Sequence, residues 1–214
     1  MKYQAILFDM DGTLLDTLTD MQAAVNYILE KDGYPTRTLE EVRRFVGNGA
    51  GPLIHRALPQ GVDPDREAEI LADYRAYYQA HNCVETRPYD GIGPLLERLR
   101  QAGVRTAVVS NKPDRTTRTL AARFFPELDG AMGQREGIAS KPAPDMVRAA
   151  LDQLHAAPEE ALYVGDSEVD VATARNAGLD MIGVAWGFRG RAALEAAGAP
   201  LVADTPEQLL DMLQ

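Results

Sequence analysis

Reactive side chains gather at a few points of this chain. Asp9 and Asp11 stand one residue apart in Asp9-Met10-Asp11-Gly12-Thr13. Far downstream come Ser110-Asn111-Lys112, then Lys141 in Ser140-Lys141-Pro142-Ala143-Pro144-Asp145, then Asp166-Ser167 with Asp170 four residues after Asp166. Brought together, Asp9, Asp11, Asp166 and Asp170 would repel one another, and at least one would hold a proton unless a cation joined them. A hard divalent ion relieves that repulsion; magnesium favours one or two carboxylates, several waters and phosphate oxygens. A lysine beside a hydroxyl–amide pair suits a phosphate group. Aspartate also serves as a nucleophile in phosphoryl transfer, through an aspartyl-phosphate.

The elements that carry these clusters are legible from periodicity. Residues 4–8 form a short apolar run ending at Asp9, which predicts a buried parallel strand. Gly12 then permits a turn that lets Asp9 and Asp11 reach one place. From Asp90 onward strands and helices alternate. Strands are predicted at 104–109, 129–133, 161–165, 181–185 and 200–203, and helices at about 91–102, 114–124, 144–155, 169–177, 190–197 and 206–213. Gly103 and Gly178 fall where helix C-caps belong. Such a rhythm implies a parallel sheet covered on both faces, with ligands at the carboxyl ends of its strands. Ser110, Asp166 and Asp9 each follow one of these strands directly.

Between 15 and 84 no convincing strand is predicted. Leu18, Met21, Val25, Ile28 and Leu29 recur at helical spacing, and further helices are expected around 39–46, 50–58 and 64–82. The expected architecture is therefore a doubly wound, Rossmann-like α/β core over 1–14 and 85–214, with a small all-helical cap over 15–84.

Composition narrows the function classes. The chain has 214 residues, 45% hydrophobic and 25% charged, with a net charge of −10. That acidity argues against nucleic acid as a partner, which needs a basic surface, and against anionic membranes. It leaves room for an anionic substrate, because the local field in a cleft can oppose the net charge. Cys83 is the single cysteine, so an internal disulfide and a thiolate zinc cluster are both excluded. The apolar run after Met1-Lys2-Tyr3-Gln4 breaks at Asp9 and Asp11 and does not read as a signal peptide. No stretch approaches the length of a membrane span. A cytoplasmic location is expected.

Other features read as ordinary. Gly47-Asn48-Gly49-Ala50-Gly51 follows no strand and lacks the lysine of a P-loop, so it is a loop before a helix rather than a nucleotide cradle. His55, His81 and His155 have no metal-ligand spacing. Arg56 is expected on a solvated helix face, and Trp186 in packing near a strand end.

Taken together, the order, spacing and strand context of these motifs resemble the haloacid dehalogenase superfamily along the whole chain. Asp9-Met10-Asp11-Gly12-Thr13-Leu14 matches its first motif, Ser110 its second, Lys141 its third and Gly165-Asp166-Ser167-Glu168-Val169-Asp170 its fourth. Val46-Gly47-Asn48-Gly49, Ser110-Asn111-Lys112-Pro113 and Trp186-Gly187-Phe188 are similar to words of its phosphoglycolate phosphatase branch. Ser110 stands where threonine is frequent, and Leu15-Asp16-Thr17-Leu18-Thr19-Asp20 departs from the usual wording.

The resemblance implies a phosphohydrolase with Asp9 as nucleophile and Asp11 as the acid and base. It implies that Ser110 bonds a phosphoryl oxygen and that Lys141 neutralises charge and holds Asp9. Magnesium would be held by Asp9, Asp11 (through its carbonyl) and Asp166, with Asp170 supporting it directly or through water. Gly12, Thr13, Asn111, Lys112 and, from the cap loop, Asn48 are the expected substrate-binding residues. The expected partner is a small phosphorylated metabolite such as 2-phosphoglycolate, acted on by a monomer or homodimer. A phosphosugar mutase or an inorganic pyrophosphatase of the same superfamily is the alternative. A dehalogenase would not need Asp11 or magnesium, and a non-catalytic module would not need the intact set.

Overall fold

The computed structural model describes all residues, 1–214. The chain forms two compact units, one of residues 1–16 and 88–214, the other of residues 17–87.

In the first unit, six parallel strands form one sheet. They are β1 (Ala5–Phe8), β4 (Arg105–Pro113), β5 (Gly130–Gln134), β6 (Ala161–Gly165), β7 (Asp180–Val184) and β8 (Val202–Ala203), in the order β5-β4-β1-β6-β7-β8. The chain leaves this unit after β2 (Leu15–Asp16) and returns in β3 (Arg87–Pro88). β1 sits mid-sheet because every one of its four residues is apolar and buried, so neither face can meet water. Ala5 and Leu7 join a core cluster with Ala107, Val109, Tyr163 and the apolar stripe of α7 (Asp145–Leu154). Ile6 and Phe8 point the other way and are equally buried. α5 (Ile92–Gln101) packs on β4, α6 (Asp114–Phe124) on β4 and β5, α8 (Glu168–Ala177) on β6 and β7, and α9 (Gly190–Ala196) on β7. α10 (Pro206–Met212) covers β8 and α5. The predicted parallel α/β sheet is thus present, covered by helices.

The two-residue strands β2 and β3 fall where no strand is predicted, and β4 also differs from expectation. β4 runs four residues past the predicted end at Val109, and its pairing with β5 shifts register between Val109 and Pro113. Ser110, Asn111 and Lys112 therefore stand on extended backbone in the irregular segment, where alternation sends neighbouring side chains to different partners.

The second unit is helical: α1 (Leu18–Lys31), α2 (Leu39–Phe45), α3 (Ala50–Ala57) and α4 (Pro64–His81). α1 buries Leu18, Met21, Val25, Ile28 and Leu29, the residues whose spacing predicts it. Thr38 and Glu41 form a capping box that starts α2. Asp63 caps α4 ahead of Pro64. Asp20 is 3% exposed, and its carboxylate accepts from the backbone amides of Val84, Glu85 and Thr86 at 3.0, 2.9 and 2.9 Å. One side chain thereby ties the first turn of this unit to its last residues. None of the helices is long and apolar enough to cross a membrane.

Candidate active site

Register brings the predicted residues to one edge of the sheet. Phe8 pairs with Val108 on one side and Val164 on the other. One residue further along, Asp9 follows the end of β1, beside Val109 and Gly165 on the neighbouring strands, and Ser110 and Asp166 come next. The Asp9 amide continues the ladder to the Val164 carbonyl at 2.8 Å. The strand order diverges on either side of β1, which is where open α/β sheets leave a crevice for ligands.

After Asp9 the chain turns tightly. The Met10 carbonyl accepts from the Leu14 and Leu15 amides at 3.0 and 2.9 Å, and Gly12 N–H donates to the Leu15 carbonyl. Gly12 has φ +80°, and a β-carbon there would lie 2.3 Å from Asp166 Oδ2. A side chain at position 12 would meet both backbone strain and this carboxylate.

Lys141 is the hub. Its Nζ lies 2.9 Å from Asp9 Oδ1, 2.8 Å from Asp170 Oδ1 and 3.0 Å from the Tyr163 hydroxyl. Asn111 fixes its backbone: Lys141 N–H donates to Asn111 Oδ1 at 2.9 Å, and Asn111 Nδ2 donates to the Lys141 carbonyl at 3.0 Å. Asp170 Oδ2 accepts from Ser167 N–H at 3.1 Å and from Ser167 Oγ at 2.6 Å, the capping box that starts α8. Asp9 Oδ1 also accepts from Met10 N–H at 2.7 Å. The Lys141 ion pair and the Met10 hydrogen bond both fall on Asp9 Oδ1, and Oδ2 takes no hydrogen bond.

The electrostatics follow from burial. Burial pushes the Asp9 carboxyl up to about 7; Lys141 opposes the rise, while the Asp170 and Asp11 charges add to it. Asp166 is held well above the ordinary carboxylate range, first by burial, then by the charges of Asp170 and Asp9. Burial alone would lower Lys141, but the Asp170 and Asp9 carboxylates outweigh it and hold the ammonium well above its usual value. One fixed cation thus faces Asp9, Asp166 and Asp170, whose oxygens come within 4.8 Å of one another.

This all-oxygen, under-compensated donor set fits a hard divalent cation. Asp166 is steadied for such a role by Phe188 N–H, which donates to its Oδ2 at 2.6 Å. Both oxygens of Asp170 already serve Lys141 and Ser167, which suits it better to support than to ligation.

The remaining predicted residues are placed as follows. Lys112 Nζ pairs with Asp11 Oδ2 at 2.8 Å, with both side chains largely buried. Ser110 is buried, and its Oγ accepts from Lys112 N–H at 3.2 Å. Asn111 spends its amide on Lys141. Thr13 is fully buried with no hydrogen-bond partner at Oγ1, and its carbonyl accepts from Trp186 Nε1 at 3.0 Å. Asn48 belongs to the helical unit, half-buried between Gly47 and Gly49 in the loop from α2 to α3. Arg56 is exposed and donates to the Phe45 carbonyl. His55, His81 and His155 lie away from these residues in sequence and form no cluster with them.

Two contributors escape motif reasoning. Tyr163 reads as one more apolar residue of β6, although the hydroxyl of a buried phenol usually finds a hydrogen-bond partner. Gly187 reads as a loop glycine. Yet a β-carbon on it would lie 2.3 Å from both Asp166 Cβ and the Gly12 carbonyl oxygen, so the 186–188 loop rests directly on the Asp9–Thr13 turn.

Comparison with known proteins places the chain in a family. The family model of the haloacid dehalogenase-like hydrolases matches residues 6–184. A phosphoglycolate phosphatase from Pseudomonas putida is 34% identical, over 98% of this chain and 76% of its own length. An N-acetylmuramic acid 6-phosphate phosphatase from Pseudomonas aeruginosa is 33% identical, over 100% of this chain and 96% of its own. The crystal structure of a candidate phosphoglycolate phosphatase from Lactobacillus delbrueckii subsp. bulgaricus superposes with a TM-score of 0.94 at 36% identity, covering 100% and 99% of the two chains. The chain belongs to the haloacid dehalogenase-like hydrolases, among their phosphoric monoester hydrolases.

Proposed function

We propose that this phosphatase cleaves phosphate monoesters of small metabolites, with magnesium as cofactor and a phosphorylated Asp9 as intermediate. The observation that carries this reading is the asymmetry at Asp9. Lys141 and the Met10 amide hold Oδ1, while Oδ2, the oxygen that would attack phosphorus, carries no hydrogen bond.

In this reading each residue of the site takes one step. Asp9 Oδ2 forms the bond to phosphorus as the ester oxygen leaves. Asp11, once it has left Lys112 and taken up a proton, gives that proton to the leaving oxygen and, now a carboxylate, takes one from the water that cleaves the aspartyl-phosphate. Ser110 donates its hydroxyl proton to a phosphoryl oxygen. Lys141 balances the charge of Asp9 and fixes its plane. Asp9, Asp166 and the Asp11 carbonyl would hold the metal, which supplies positive charge against the phosphoryl oxygens. Phosphate monoester hydrolysis is among the slowest uncatalysed reactions, so no one of these contributions suffices alone.

The relatives narrow the substrate class. One is a phosphatase of phosphoglycolate and another of N-acetylmuramic acid 6-phosphate. Both compounds are phosphate monoesters of a carboxylic acid, and this chain is proposed to act on small phosphorylated acids of that kind. The test is phosphate release across a panel of acidic, neutral and sugar monoesters, with and without magnesium. Release that is magnesium-dependent and highest for acids is expected. Release that persists in a chelator, or a preference for pyrophosphate by orders of magnitude, would overturn the reading.

A further inference from the structure

Tyr163 is a buried ionisable residue to which the mechanism above gives no part. It lies in β6, next to the strand that Asp9 follows, and is 0% exposed. Its hydroxyl is 3.0 Å from Lys141 Nζ, 3.3 Å from Asp170 Oδ1 and 3.4 Å from the Val109 carbonyl. A phenol donates one proton and can accept another. Here it donates to Asp170 or Val109 and accepts from Lys141.

An ammonium has three protons to place. Around Lys141 Nζ stand three acceptors, Asp9 Oδ1, Asp170 Oδ1 and the Tyr163 hydroxyl. Two of these contacts are hydrogen bonds, to Asp170 and Tyr163, and the third is an ion pair with Asp9; together they fix where the ammonium stands. We propose that Tyr163 is a positioning residue for phosphoryl transfer: its hydroxyl takes the third proton of Lys141 and so keeps that lysine on Asp9 Oδ1, leaving Oδ2 to attack. The inference rests on the reading of Asp9 as nucleophile.

Without the hydroxyl, one N–H of a buried cation loses its partner, and such a group is costly to leave unpaired. The ammonium would turn toward another acceptor, and the oxygen of Asp9 without a hydrogen bond is Oδ2. A hydrogen bond there occupies the lone pair that must reach phosphorus. The loss falls on the chemical step, because Tyr163 is sealed in the core and touches no substrate.

The experiment is Tyr163→Phe, which keeps the ring and its packing. For the monoester that the wild type cleaves best, kcat is expected to fall about tenfold, a small share of the total rate enhancement. KM should stay within about twofold and the thermal midpoint within a few degrees. The same change in a Lys141→Met background should cost nothing further, because no ammonium remains to be placed. A Tyr163→Phe enzyme with wild-type kcat overturns the inference while leaving the phosphatase reading intact. So does a loss that appears in KM alone, or an equal further loss in the Lys141→Met background. A wild-type protein that releases phosphate from no monoester overturns both. If the Lys141→Met protein does not fold, the kcat-against-KM split of the single variant still decides.

Discussion

Lys112 Nζ lies 2.8 Å from Asp11 Oδ2, so the lysine expected to meet the substrate also pairs with the proposed acid and base. The pair is largely buried, and removing one member leaves the other charge without its partner. Lys112→Met should therefore reduce kcat, on the order of tenfold, in addition to any rise in KM for acidic substrates. Steady-state kinetics on an acidic and a neutral monoester separate the two. A pure KM effect confined to the acid would show that Lys112 serves the substrate and not Asp11.

Metal binding should release protons. Asp9 rises to about 7 and Asp166 stands well above the carboxylate range, so the metal-free protein holds protons there near neutrality. The sign for stability follows. An unfolded Asp titrates near about 4, so the raised Asp9 makes the metal-free fold less stable as pH rises from about 4 to about 7. Magnesium should reverse that loss, with an affinity that increases over the same window and then levels. Calorimetry in buffers of different ionisation enthalpy measures the protons released. A pH-independent affinity with no proton release would contradict the picture.

Gly187→Ala places a methyl group where 2.3 Å separates it from Asp166 Cβ and the Gly12 carbonyl oxygen. The 186–188 loop must then move off Asp166 and loosen the Phe188 N–H bond. Outer-sphere partners of a metal ligand are worth about ten- to a hundredfold in affinity. A magnesium titration followed by thermal shift should show a loss of that size in the variant. Unchanged affinity would mean that the loop does not steady Asp166.

Asp20→Ala tests the helical unit alone. It removes a buried carboxylate that accepts three backbone amides, from Val84, Glu85 and Thr86. The expected destabilisation is about 2–4 kcal/mol in urea unfolding, because buried donors lose a charged acceptor. A change below about 0.5 kcal/mol, the size of an ordinary surface substitution, would refute the tie.

Much of this was legible in the sequence because strand ends and reactive residues coincide. Asp9 and Asp166 directly follow all-apolar strands, and Leu18 to Leu29 spell out the buried stripe of α1. What was not legible depends on partners distant in sequence. The extension of β4 through Pro113 comes from irregular pairing with β5, which no local pattern encodes. Nothing in the sequence signals that the Asn111 amide holds the Lys141 backbone, a contact across thirty residues. Tyr163 was hidden by a strand that reads as uniformly apolar. The role of Asp20 depends on residues 84–86, which return beside it only in the fold.

The central claim is that phosphate passes through Asp9, and the most direct measurement looks for it there. Enzyme turning over a monoester labelled in its phosphoryl group is quenched in acid, digested, and searched for the label. The account predicts label on the peptide containing Asp9, located to that carboxylate, and none in an Asp9→Asn protein, which should also fail to release phosphate. Full phosphate release by the wild type with no label on Asp9 at any time of quenching, or wild-type turnover by Asp9→Asn, would contradict it.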